Sequence, residues 1–448
     1  MRGFQLLFVL ILFSSFSAQT VNFAELEKTI EDELKDTKTP GASFAVVSGD
    51  KVIFAKGFGT TSAEDGNPVT PDTLFRMGST TKMFTAATLV GLVNAGKIKL
   101  DEPIGNYLKN LPPKISALTA HRLLSQSSGL RDFGPLFSGN DDAALGQNIR
   151  LWKDDVFFTE PNKIYSYSSA NYWLAGYLAE EAGGKPYADE VAEFVLRPLG
   201  MNRSTIRAFE AMTYPLALGH EVKNGTANLI RPIDNNAAKY PGGSLFSSAN
   251  ELSRWAIAML NGGKIDGKQI LAPIVAENLM KPQFYLPGEE KVFYGYGLLG
   301  YEDRGVKTIS HGGASRGYGS TIFFAPEQKI AIIVLANTSG QTLPKSRRKA
   351  MEMLLPLKPE ETEQPKLAPP TPEEMRSFVG KYKHEPQTWE VFIKDGKLFF
   401  KEDGKDYELT KIGKNNFSYE QGEVLFVSNE KGEFEHIFMG LYAAKKSQ

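Results

Sequence analysis

Residues 75–96 read FRMGSTTKMFTAATLVGLVNAG, a short polar entry followed by an apolar periodic run. Gly78 precedes Ser79, and Lys82 follows three positions later. At that spacing a hydroxyl and an amine share one helical face. Ser79 falls where the helix begins, so it sees the positive end of the helix dipole, which favours an anion. A desolvated lysine loses its proton well below its ordinary value of roughly 10.4 and then serves as a base for the hydroxyl. The stretch therefore predicts a nucleophile and its base on the first turn of a buried helix.

Ser-x-x-Lys also occurs at Ser48–Lys51, Ser346–Lys349 and Ser428–Lys431. The first flanks Gly49-Asp50, a hairpin turn. The second reads as a solvated helix start, and the third lies in the turn SNEKGE. Only Ser79 opens a long apolar helix behind a glycine.

Two later segments keep it company. PNKIYSYSSANYWLAGYLAEEAGG (161–184) places Tyr167-Ser168-Ser169 ahead of an apolar helix. VKTISHGGASRGYGSTIFFAP (306–326) places His311-Gly312-Gly313-Ala314 between strand-like runs. With these motifs in this order, the chain resembles the serine β-lactamase and penicillin-binding-protein superfamily, in its class C-like branch of esterases and D-amino-acid peptidases. The phrases PDTLFRMGSTTK, HRLLSQSSGLRDF, YPGGSLFSSANELSRWAIAMLNGG and YGYGLLGY extend the likeness over roughly residues 22–355.

The resemblance implies Ser79 as acylating nucleophile, Lys82 as its basic partner and Tyr167 as a proton shuttle to the leaving group. It implies an oxyanion hole from the backbone N–H groups of Ser79 and Ala314. Ser169, His311, Gly312, Gly313 and Arg316 are the expected substrate-binding residues. Ser169 stands where asparagine is commonest, and Asn171 lies two residues on. His311 stands where penicillin-recognising members carry lysine, so a permanent cation is replaced by a group mostly neutral at pH 7. That turns the expected substrate from β-lactams toward esters, amides or peptides, with Arg316 a candidate for the missing cation. A β-lactamase or D-amino-acid peptidase acting on cell-wall fragments is one alternative; a catalytically silent binding protein is another.

Gly313-Ala314-Ser315-Arg316-Gly317 matches G-x-S-x-G, the nucleophile elbow of α/β-hydrolases, which needs a helix behind it. The residues that follow, GSTIFFAPEQKIAIIVLAN, read as two more strands instead. Only His384 and His436 lie downstream, in what reads as a separate domain.

At 448 residues the chain has room for two or three domains. A net charge of −1 argues against nucleic acid or an anionic membrane as partner. Five scattered His, no Cys and no H-E-x-x-H give no metal-ligand cluster, and no cofactor is expected. Residues 1–18 of MRGFQLLFVLILFSSFSAQT read as a secretory signal peptide, so a periplasmic or secreted protein is expected. The apolar run is too short for a stable membrane anchor, which takes ~20 residues. Residues 19–355 are the expected hydrolase domain: a mixed α/β fold with a β-lactamase-like antiparallel sheet, flanking helices and a helical subdomain. The Pro/Glu-rich stretch 356–374 reads as a semi-extended linker. Residues 375–448, with Asp-Gly and Lys-Gly turns between alternating runs, read as a small all-β barrel resembling a lipocalin-like domain. The sequence leaves the oligomeric state open.

Overall fold

The computed structural model describes residues 21–360 and 367–447. The expected signal peptide, residues 1–18, lies outside the described residues, as does the middle of the expected linker. Among the described residues no helix is long and apolar enough to cross a membrane.

The main domain is built on an eight-stranded antiparallel sheet. From one edge it runs Lys51–Gly59, Gly41–Ser48, Ile330–Ala336, Tyr318–Ala325, Val306–Ser315, Leu299–Asp303, Phe293–Tyr294 and Phe284–Tyr285. The run IAIIVLA at 330–336 is apolar throughout because both faces of the sheet are covered. With a side-chain period of two, Ile330, Ile332 and Val334 join Phe44 and Val46 on one face, under the helices Ala24–Thr37 and Pro344–Leu354. Ala331, Ile333 and Leu335 join Ala45 and Val47 on the other, in the larger core with the helices Thr81–Asn94 and Ala249–Leu260. The amphipathic helix expected at 22–36 thus exists and buries Leu26, Ile30 and Leu34. Its buried Glu33 accepts the backbone N–H groups of Lys345 (3.0 Å) and Ser346 (2.7 Å), capping the first turn of the returning helix. Ser346, expected to be solvated, is buried there and also donates its hydroxyl to Glu33, 2.6 Å away.

The helix Thr81–Asn94 is buried nearly all round, with Lys82, Thr85 and Thr88 fully enclosed among its apolar residues. Such a helix lies at the centre of a domain rather than on its surface. Across it packs the helix Ser169–Gly183, within the helical region between the first and last sheet strands.

The chain after 367 differs from the expected linker in one respect. A helix spans Pro372–Phe378, so ordered structure begins inside the stretch read as semi-extended. Thr371 and Glu374 close a capping box around Pro372 at the first turn, and Met375 and Phe378 bury their side chains. Proline here starts a helix rather than extending a chain. Beyond it lies a nine-stranded antiparallel sheet whose two end strands, Lys405–Glu408 and Thr410–Lys411, are separated by a single residue. The sheet therefore curls into a nearly closed barrel around Phe400, Phe417, Phe426 and Ile437. This unit is docked on the main domain. Phe438 and Ala443 share a buried apolar cluster with Ile164, Tyr165, Tyr167, Leu286 and Tyr294.

Candidate active site

Gly78 adopts φ +54, a left-handed conformation that turns the chain from the strand Phe75–Arg76 into the helix. One 3₁₀ turn, Gly78–Thr80, precedes the α-helix, and Ser79 lies in it. Two hydroxyls fasten this turn: Thr80 donates to the carbonyl of Met77 (2.8 Å) and Thr81 to that of Gly78 (2.7 Å). Lys82 Nζ lies 3.2 Å from Ser79 Oγ and 2.9 Å from the carbonyl of Gly242. Neither partner is a carboxylate, and Lys82 is fully buried. Burial pulls its pKa down to about 7, with the charge of Asp132 acting in the opposite direction. The expected pair is thus assembled with the amine poised between its two protonation states.

Tyr167 is buried beside the pair, its ring centroid 4.8 Å from Lys82 Nζ, and Tyr172 presents a second ring at 5.6 Å. Two aromatic faces therefore stabilise the ammonium form without a counter-ion. Burial pushes the Tyr167 hydroxyl well above its ordinary value, and the neighbouring Tyr294 adds to that, while hydrogen bonding to Ser79 works against it. The phenol is thus held neutral.

The strand Val306–Ser315 lies against the Ser79 turn. A Cβ on Gly313 would stand 2.0 Å from the Met77 carbonyl, and one on Gly78 would stand 2.8 to 2.9 Å from backbone atoms of Ala314. Ser320, on the next strand, donates to the Met77 carbonyl at 2.6 Å. Gly78 and Ala314 are thereby held in contact, with Ser79 and Ala314 opening onto a common cleft of about 810 Å³. Ser169, Trp173, Phe209, Gly242 and Arg316 line it as well. A second cavity, of about 850 Å³, lies between the barrel and the main domain; Ser79 does not reach it.

The expected substrate-binding residues divide. Ser169 is half-buried in the cleft wall, and Arg316 is exposed on its rim. His311 and Gly313 point inward, whereas Gly312 and Ala314 point outward, as the strand period requires. His311 is buried against Tyr294 (Nε2 to OH 3.2 Å) and near the Tyr167 ring, and does not line the cleft. Burial and the Lys82 charge push its pKa down to about 3, so it offers a substrate no cation. Asn171 is committed elsewhere: its amide donates to Gln126 at 2.6 Å within the buried core.

The G-x-S-x-G match is not an elbow. Ser315 ends a strand and a tight turn leads to the next strand, Tyr318–Ala325, with no helix. His384 and His436 hydrogen-bond to Asp132 and Thr159, respectively, rather than to Ser315.

Two participants carry no signal in the sequence. The Gly242 carbonyl lies in the phrase YPGGSLFSSANELSRWAIAMLNGG with nothing to mark it, yet it accepts from Lys82. Asp132 is the acid whose charge reaches Lys82, and it accepts the Ser169 N–H at 2.8 Å. It stood in the phrase HRLLSQSSGLRDF without any spacing to mark it.

This fold, with a helix-borne serine and lysine facing a tyrosine and a sheet strand, is that of a β-lactamase-fold serine hydrolase or penicillin-binding-protein-like protein. The chain belongs to the Beta-lactamase family, whose family profile matches residues 26–353. Among curated relatives, the protein flp of Staphylococcus aureus (strain MW2) is 25% identical over 332 residues, covering 72% of this chain and 64% of flp. The chain thus spans less than two thirds of the length of that relative. Penicillin-binding protein 4 of Amycolatopsis lactamdurans is 28% identical over 315 residues, covering 66% of this chain and 81% of the relative. Among solved structures, SurE superposes with a TM-score of 0.77 at 21% identity, covering 94% of this chain and 98% of that one. That likeness extends through the C-terminal barrel and concerns the fold alone.

Proposed function

We propose that this protein is an exported serine hydrolase that cleaves an ester or amide through an acyl-Ser79 intermediate. One observation carries the reading: a fully buried lysine, its pKa near 7, stands 3.2 Å from a serine hydroxyl that opens onto a cleft. A lysine serving only structure would gain from a carboxylate partner; this one hydrogen-bonds a hydroxyl and a carbonyl.

In this reading Ser79 Oγ attacks the acyl carbon and its proton passes to the neutral Lys82 amine. The oxyanion is held by the N–H groups of Ser79 and Ala314. The C–O or C–N bond then breaks, and the leaving group takes a proton delivered through the Tyr167 hydroxyl. Water hydrolyses the Ser79 ester by the reverse proton path, restoring both side chains. Export rests on the charge and apolar pattern of residues 1–18.

Arg316 favours a second substrate reading. It is exposed on the cleft rim two residues from Ala314, where a guanidinium could hold the carboxylate of an acyl-D-amino acid or a β-lactam. Both readings are tested by intact-mass spectrometry after exposure to a fluorophosphonate and, separately, a penicillin. Wild type, Ser79→Ala and Ser315→Ala are compared. An adduct lost only in Ser79→Ala is expected, and a penicillin adduct would move the substrate toward the cell wall. An adduct lost only in Ser315→Ala, or no adduct at all, would overturn the proposal, the latter in favour of a silent binding protein.

A further inference from the structure

The barrel reaches the residues around Ser79 through backbone and side-chain contacts. The Tyr167 N–H donates to the carbonyl of Leu441 (2.8 Å), and the Ala443 N–H donates to Ser166 Oγ (3.1 Å). The Tyr442 ring meets the Tyr167 ring nearly edge-on, centroids 6.1 Å apart. Lastly, His384 Nε2 lies 2.9 Å from the Asp132 backbone nitrogen, and His384 Nδ1 lies 2.7 Å from the Ala443 carbonyl.

The chemistry of those partners settles the state of the imidazole. A backbone N–H can only donate, so Nε2 must carry the lone pair; a carbonyl can only accept, so Nδ1 must carry the proton. A doubly protonated ring would set Nε2–H against the Asp132 N–H. His384 is buried and packed on Phe158 with centroids 4.6 Å apart, which fixes the ring plane. The Asp132 backbone is thus held from the barrel side while its carboxylate accepts the Ser169 N–H, on the first residue of the cleft helix.

We infer that the C-terminal barrel completes the catalytic site, with His384 as a positioning residue that fixes Asp132 and, through its carboxylate, the charge felt by Lys82. This rests on the acyl-Ser79 reading. The groups facing Lys82 are Ser79, Tyr167, Tyr172, His311 and Asp132. The two tyrosines are held neutral by burial, and so is His311, which leaves Asp132 as the charge acting on the amine among the described residues. Asp132 faces Lys82, His384, Tyr167 and Tyr442; burial raises its pKa, against the Ser169 N–H, Lys82 and His384, which lower it. His384 faces Asp132 and Arg131. Burial holds His384 below its ordinary value, so it stays neutral through a limb near pH 7.

The test is the pH dependence of kcat/KM for an aryl ester in the full chain, after wild-type acylation at Ser79 has been scored by fluorophosphonate. Variants are His384→Ala, His384→Phe, His384→Gln and Asp132→Asn. Freed of the Asp132 charge, Lys82 becomes more acidic, so the acid limb in Ala, Phe and Asn variants moves to lower pH by about half a unit or more. Glutamine can accept from the Asp132 N–H and donate to the Ala443 carbonyl, so His384→Gln restores the wild-type limb. A limb that does not move, or moves upward, overturns the positioning role whatever the plateau rate does. Asp132→Asn keeps both His384 hydrogen bonds, so an unmoved limb there overturns it even if the other variants fail to fold. Absence of wild-type acylation would instead sink the hydrolase reading itself.

Discussion

Gly78→Ala should separate a site that merely contains Ser79 from one built around it. Gly78 sits at φ +54, where a Cβ costs about 1–2 kcal/mol against the following carbonyl. The new Cβ would also lie 2.8 Å from the Ala314 oxygen and 2.9 Å from its nitrogen. Ordinary contact needs about 3.5 Å, so the strand carrying Ala314 must retreat by roughly 0.6–0.7 Å. That displacement acts on the proposed oxyanion donor, and losing one such donor costs about 2.7–4 kcal/mol, or about 10²–10³ in kcat. Stability should fall by about 2–3 kcal/mol once strain and contact are combined, lowering Tm by roughly 3–4 °C in a domain of this size. Ester hydrolysis and thermal unfolding, measured together, check this. Gly134→Ala serves as the control, since its Cβ would meet nothing within 4 Å and its φ is not positive. A folded Gly78→Ala enzyme with kcat within about tenfold of wild type would refute the reasoning, because contact between the Ser79 turn and the Ala314 strand would then not set the transition-state geometry.

Arg316→Ala should reduce kcat/KM for a carboxylate-bearing acyl-D-amino-acid ester by about tenfold or more while leaving an uncharged ester within twofold or so; parallel kinetics on both substrates check it, and an equal loss on both would remove Arg316 from recognition. His436, buried in the barrel with Nε2 3.0 Å from Thr159 Oγ1, has its pKa lowered to about 4 by burial. A folded value below the unfolded one of about 6.5 means the unfolded chain binds the extra proton between them. The contribution is therefore present above about pH 6.5 and is lost as pH falls toward 4. Urea midpoints should drop over that window in wild type and drop less in His436→Gln; identical pH slopes would exclude the histidine as the cause.

The parts of this site that were legible in the sequence are those set by short-range periodicity. Ser79 and Lys82 meet because three helical positions bring side chains together, and a glycine before an apolar run marks where the helix starts. The same rule admitted three false matches, and what separates them is burial of the lysine: Lys82 is fully enclosed, whereas Lys51 and Lys431 are exposed and Lys349 is half-buried. His311 was expected to bind substrate, and the strand period instead turns it inward. On a strand whose outer face carries Ala314, a residue three positions earlier must point the other way. The two glycines after His311 invited a reading of open access, but only Gly313 is required by close approach; a Cβ on Gly312 would meet open space. The helix at Pro372–Phe378 was missed because proline content outweighed the capping box that Thr371 and Glu374 form.

Asp132 and His384 could not have been paired from the sequence, since 252 positions separate them and no periodicity connects a loop in one domain to a strand end in another. Yet their contact explains a feature that the local motif leaves open. A lysine so deeply buried, with only Ser79 and Gly242 as hydrogen-bond partners, would titrate still lower without an anion in range, and an amine already neutral well below pH 7 is a weaker base for a serine hydroxyl. Asp132 raises that value toward the working range while standing far enough away not to form an ion pair that would lock the proton on. Such tuning demands a carboxylate held in place, because Coulombic influence at partial burial changes steeply with separation. The Ser169 N–H holds the carboxylate, and the barrel, through His384, holds the backbone that carries it. On the proposed reading, the motif residues would determine which chemistry is possible, and the distant domain the pH at which it runs.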